Sequence, residues 1–125
     1  MGVKKISAIA PYPRPLTKLV TDYIEAEGIQ IVDVISLEIA DNLEVGIQDP
    51  MNLTRIWKDL KLTGAEALVL SCCVQMPSLP AIPLVQKECP LPVVSTAICT
   101  THQMLKRLGL KTVVPNAGAL LSGKY

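Results

Sequence analysis

The chain has 125 residues, of which 50% are hydrophobic and 18% charged, and its formal net charge is +1. That size and composition match a compact fold with a buried core and exclude a disordered chain. A near-zero charge without Lys or Arg runs excludes an electrostatic draw to nucleic acid or anionic membrane, and no stretch approaches the roughly 18–20 apolar residues of a membrane span.

Lys5 to Ala10 (KISAIA) is a short apolar segment halted by Pro11 and Pro13, and reads as a first strand and its loop. Leu16, Leu19, Val20, Tyr23 and Ile24 recur at helical spacing, with Gly28 placed for a left-handed cap. Ile29 to Leu37 is rich in Ile and Val and reads as a second strand. Ser36 to Asp49 reads mostly as a long loop. Asp49-Pro50 is a helix start, with Asp as N-cap and Pro at the first helical position. Leu53, Ile56, Trp57 and Leu60 form the next apolar stripe, ended by Gly64. Ala67 to Leu70 is a third strand and Ser71 to Pro77 a turn. A third helix is expected from about Ser78 to Glu88, with Pro80 in its first turn and Pro83 deeper. Pro92 to Ser95 is a fourth strand, and Ala97 to Leu108 a fourth helix stopped by Gly109.

Strands alternating with helices predict an α/β fold: a single three-layer domain over residues 1–125, with a four-stranded parallel sheet and helices on both faces. Right-handed crossovers place the C-terminal ends of the strands on one edge, where ligands of open sheets bind.

The cysteines are Cys72, Cys73, Cys89 and Cys99, with no C-x-x-C pair. Free thiols in a reducing compartment are the simple reading, and with no visible secretory signal a cytoplasmic location is expected. His102 is the only histidine, so a conventional zinc site lacks ligands and no metal is expected. No G-x-G-x-x-G or Walker sequence supports nucleotide binding.

Four segments follow strands and converge on the binding edge: Pro11-Tyr12-Pro13, Asp41 to Glu44, Ser71 to Ser78, and Ala97 to Thr101. A thiol at a strand-to-helix turn meets backbone N–H groups and a helix N-terminus, which favour the thiolate and lower its pKa. The same N–H groups can hold a carboxylate. Against this stands the habit of buried cysteine, which is common and inert. Position nominates Cys73, while Cys72 can face the core and Cys89 and Cys99 read as packing. Tyr12 is either a loop aromatic covering the sheet edge or a hydroxyl for an anion or a proton. Asn42 either bonds its own loop or a ligand. His102 reads as a surface or core-edge residue.

The string Leu68 to Ser78 (LVLSCCVQMPS) resembles the S-A-C-V-Q-M-P-S segment of the maleate cis–trans isomerases, with Cys73 on the family cysteine and Cys72 where a small residue is usual. Pro11-Tyr12 resembles that family's T-P-Y loop, with Ala10 in place of Thr. Asp41 to Glu44 resembles its D-N-x-E loop, and Val113 to Gly118 its C-terminal end. The wider superfamily contains the arylmalonate decarboxylases and Asp/Glu racemases. Its members have two similar α/β halves, each giving one cysteine to a shared cleft, and this chain resembles the second half.

The resemblance implies a cofactor-independent isomerase half acting on a small dicarboxylate, of the maleate-to-fumarate type. Cys73 would be the second-half thiol, acting as acid or base across the substrate from a nucleophilic thiolate. Tyr12, Asn42 and the N–H of Val74 would bind a substrate carboxylate in an enclosed, mostly apolar cleft. No metal or organic cofactor is implied. The expected partners are the dicarboxylic acid and either a first-half domain or a second copy in a homodimer. A racemase, an arylmalonate-type decarboxylase and a catalytically silent assembly module are the alternatives.

Overall fold

The computed structural model describes residues 1–125. Its strands are β1 (Lys5–Ala10), β2 (Gln30–Ser36), β3 (Ala67–Val69) and β4 (Val93–Val94). They form one parallel sheet in the order β2-β1-β3-β4, with Ala8 opposite Val34 on one side and Val69 on the other. The chain runs outward from the central β1 to β2, then crosses back to β3 and β4. Right-handed crossovers therefore place α1 (Arg14–Ala26) and α5 (Thr96–Arg107) on one face. The opposite face takes α3 (Leu53–Ile56), flanked by single 3-10 turns, and α4 (Ile82–Glu88). The architecture read from the sequence holds: an all-parallel four-stranded sheet with helices on both sides.

Side chains alternate along each strand. Leu68 and Leu70 point to the α3/α4 face and are fully buried with Ile82, Val85, Leu53 and Trp57. Burying side chains of this size stabilises by about 1.5–3 kcal/mol each. Ala67 and Val69 point to the other face, where α1 and α5 stand apart. An apolar groove of about 620 Å³ runs between them, lined by Val20, Ile24, Val69, Cys72, Cys99 and His102 among others. No helix is long and apolar enough to cross a membrane.

Three local expectations are corrected. The stretch from Ser36 to Asp49 contains a helix, α2 (Asn42–Gly46), because the Asp41 carboxylate caps it by accepting from the N–H of Leu43 at 2.9 Å. Asp41 followed by Glu44 is a helix-start signature that a reading weighted towards loop residues passes over. Second, α4 begins at Ile82 and not Ser78. Two prolines so close together delay the helix until Pro83 falls in its first turn, where a missing N–H does no harm. Third, the buried face of α1 is turned from the expected stripe. Thr17 is buried and Val20 and Ile24 line the groove, while Leu16, Leu19 and Tyr23 are exposed.

Candidate active site

The edge at the strand C-termini is tied together by backbone. The N–H of Cys72 donates to the carbonyl of Ile9 in β1 at 2.9 Å. The Ser71 carbonyl accepts from both the N–H and the hydroxyl of Thr96, just beyond β4, at 2.9 and 3.1 Å. Ser71 is fully buried, and its hydroxyl donates to the Cys73 carbonyl at 2.8 Å and accepts from the Cys73 N–H at 3.2 Å. A tight turn held at both ends thus presents Cys73. Its side chain is half-buried and packs against the rim of the core.

The adjacent thiol faces elsewhere. Cys72 lines the groove between α1 and α5, and burial, reinforced by Cys73 and Cys99, pushes its pKa up to about 12. It remains a neutral thiol at ordinary pH. Burial also raises the pKa of Cys89 and of Cys99, in keeping with packing roles. His102 is buried, and its Nε2 meets the carbonyl oxygen of Tyr125 at 3.2 Å.

Tyr12 reaches the cysteine turn from β1. Its hydroxyl donates to the Cys72 carbonyl at 3.4 Å, which sets the phenol beside Cys73. Burial first, and then Cys73, hold its pKa well above the ordinary phenol value, so it stays protonated. It is a donor and not a base. The main chain of Tyr12 is fixed as firmly: its carbonyl accepts from the N–H of Glu38 at 3.2 Å and from the Ser36 hydroxyl, and the Thr17 hydroxyl lies 3.2 Å from the same oxygen. The two hydroxyls also meet at 2.8 Å. Sequence reading missed Thr17 and Ser36. The available signal was a threonine in helical register with Val20 and Ile24.

Asn42 opens α2 and is exposed, and its side-chain amide makes no hydrogen bond within the chain. Its carbonyl accepts from Nε2 of Gln75 at 2.7 Å, which joins α2 to the cysteine loop. Val74 is 60% exposed, and its N–H also has no partner within the chain. The fold therefore gathers all four expected residues on one edge: Tyr12 against Cys73, Val74 next to it, and Asn42 tied in through Gln75.

Two expectations about this edge are corrected. Cys73 does not stand at a helix N-terminus, because the loop from Ser71 to Ala81 separates it from α4. Nor is the cleft enclosed within this chain. The five principal cavities have no wall from Cys73, and the nearby one of about 340 Å³ is lined by Met76 and Pro77 beyond it. The thiol sits on an open rim.

The profile of the arylmalonate decarboxylase family matches residues 1–121. A maleate isomerase of Geobacillus stearothermophilus is 62% identical over 125 residues, which are 100% of this chain and 50% of that protein. The crystal structure of a maleate isomerase from Pseudomonas putida S16 with maleate superposes with a TM-score of 0.96 at 48% identity, covering 99% of this chain and 50% of that one. A Nocardia farcinica maleate cis–trans isomerase with a covalently bound succinylcysteine intermediate superposes at 0.93 and 40% identity, covering 98% and 50%. The chain spans about half the length of the relatives it matches. It belongs to the arylmalonate decarboxylase family, and corresponds to one half of the family's maleate isomerases.

Proposed function

We propose that this chain supplies one half of the active site of a cofactor-independent maleate cis–trans isomerase, with Cys73 as its working sulfur. Tyr12, Asn42 and the N–H of Val74 grip a substrate carboxylate. The observation that carries the reading is the hydrogen bond from the Tyr12 hydroxyl to the Cys72 carbonyl, which sets the phenol at the Cys73 turn on an open sheet edge. The likeness to maleate isomerases over the whole chain, one of them holding a succinylcysteine, supports it.

Interconverting maleate and fumarate requires the central double bond to become single for a moment. A thiolate from the facing half adds to one alkene carbon, and the Cys73 thiol delivers its proton to the other. The central bond rotates. Cys73 then takes a proton back from that carbon, the double bond re-forms in the trans arrangement, and the sulfur leaves. No atom is gained or lost, so no external acid, base or oxidant is consumed. Cys72, a neutral thiol turned into the groove, stands outside this exchange. Tyr12 stays protonated throughout and donates to a carboxylate, a charge-assisted bond of about 1.5–3 kcal/mol.

The open rim fits a site completed by another half, from a longer chain, a separate subunit or a second copy. Proton NMR of maleate incubated with the chain alone, and with the first half of a maleate isomerase added, tests this. Fumarate is expected only in the completed assembly, with loss of turnover in Cys73→Ser. A Cys73→Ser assembly as fast as the unmodified one would sink the assignment. The family profile also favours trying phenylmalonate in the same assay. Loss of CO₂ from it without any fumarate from maleate would replace isomerisation by decarboxylation.

A further inference from the structure

Gln75 sits in the same loop as Cys73, and its side chain is spent on α2. Its Nε2 donates to the main-chain carbonyl of Asn42 at 2.7 Å. A carbonyl only accepts, so the amide can present only its nitrogen there. Gly46, the last residue of α2, supplies a second observation. A Cβ at that position would stand 3.3 Å from Nε2 of Gln75 and 3.7 Å from its Cγ, and its three nearest neighbours all belong to Gln75. The amide of Gln75 thus sits where the Asn42 carbonyl and Gly46 come together one helical turn apart, in a gap that glycine leaves.

A helix of five residues has too few internal bonds to hold itself in place. Within α2 only Val45 is buried, while Leu43 and the capping residue Ile47 just past the helix are 75% and 82% exposed. The place of Asn42 therefore depends on ties from outside the helix.

We propose that Gln75 is a positioning residue that holds α2 to the cysteine loop and so sets the spacing between the Asn42 side chain and Cys73. The proposal rests on the reading that Asn42 grips the substrate. Without the clamp, α2 samples other positions, and only a fraction of molecules presents Asn42 correctly. Apparent substrate affinity falls by that fraction. Cys73 is held separately, through Ser71, so the step on bound substrate is untouched.

The test uses the completed, maleate-active assembly. Gln75→Leu keeps bulk and removes the donor, and KM for maleate should rise about three- to tenfold, the worth of one uncharged hydrogen bond, with kcat changed less than about twofold. In an Asn42→Ala background the same substitution should change nothing further. Gly46→Ala discriminates by sign. Alanine favours a helix over glycine, so a merely structural role predicts equal or higher Tm with unchanged KM. Positioning predicts a raised KM at that same Tm. Hydrogen exchange of the Leu43 and Val45 amides, both bonded to Asp41, should quicken in Gln75→Leu while core amides stay protected. Unchanged KM in Gln75→Leu, equal losses with and without Asn42, or unchanged exchange would each overturn the proposal. If the assembly turns over no maleate, the isomerase reading fails, and exchange alone still decides whether Gln75 holds α2.

Discussion

The hydroxyl of Tyr12 lies 3.4 Å from the carbonyl oxygen of Cys72, so the phenol that follows β1 is set against the turn that follows β3. Those residues are far apart in the chain and adjacent in space because β1 and β3 are neighbours in the sheet. The contact holds a neutral donor beside Cys73 before any substrate arrives.

Tyr12→Phe keeps the ring and deletes the donor. In the completed assembly kcat/KM for maleate should fall about 10- to 100-fold, the worth of a hydrogen bond to a charged group. Steady-state kinetics checks it. A change below about twofold would remove Tyr12 from the carboxylate grip.

Thr17→Val acts one step away. It removes a buried hydroxyl whose one proton lies between the Tyr12 carbonyl and the Ser36 hydroxyl. Stability should drop by about 1–3 kcal/mol. Urea unfolding followed by the fluorescence of Trp57, the one tryptophan, measures it. Thr17→Ser retains the hydroxyl and should lose less.

The raised pKa of Cys72 makes a stability statement in alkali. The folded chain keeps this proton up to about pH 12, whereas an unfolded chain releases it near 9. Between those values the folded state binds more protons, so stability falls as pH rises. Below about pH 9 the contribution is constant. The raised Cys89 and Cys99 act in the same direction. Urea midpoints across this window should fall less steeply in Cys72→Ala than in the unmodified chain, and parallel curves would contradict the desolvation of the Cys72 thiol.

Gly118 explains one of the sequence matches as structural. Its φ is +78°, and a Cβ there would stand 2.7 Å from Cγ2 of Ile82 and 3.0 Å from the Val93 carbonyl oxygen. Gly118→Ala combines left-handed strain with a clash against the Ile82 side chain and a tight contact with the Val93 backbone. It should destabilise by at least about 2 kcal/mol. A Tm equal to that of the unmodified chain would show that the C-terminal segment is not packed on α4 and β4.

The strands were legible to within about two residues, since apolar runs ended by proline or glycine are local signals. The edge that carries Tyr12, Asn42, Cys73 and Val74 was legible too, because in a parallel sheet every strand ends on the same side. The polar ties were not. Thr17 and Ser36 sit in different elements and meet only when α1 packs on β2. Gln75 finds Asn42 across 33 positions of sequence.

By itself the sequence determined the order of the elements, the parallel sheet and the loop that offers a thiol, because periodicity, caps and breakers act between chain neighbours. Tertiary structure alone decided that Tyr12 is set at the Cys73 turn while Cys72 lines the groove, and that Thr17 turns inward while Leu16 stays outside. Successive residues share nearly the same local signals, and only the packing of distant segments tells one from the next.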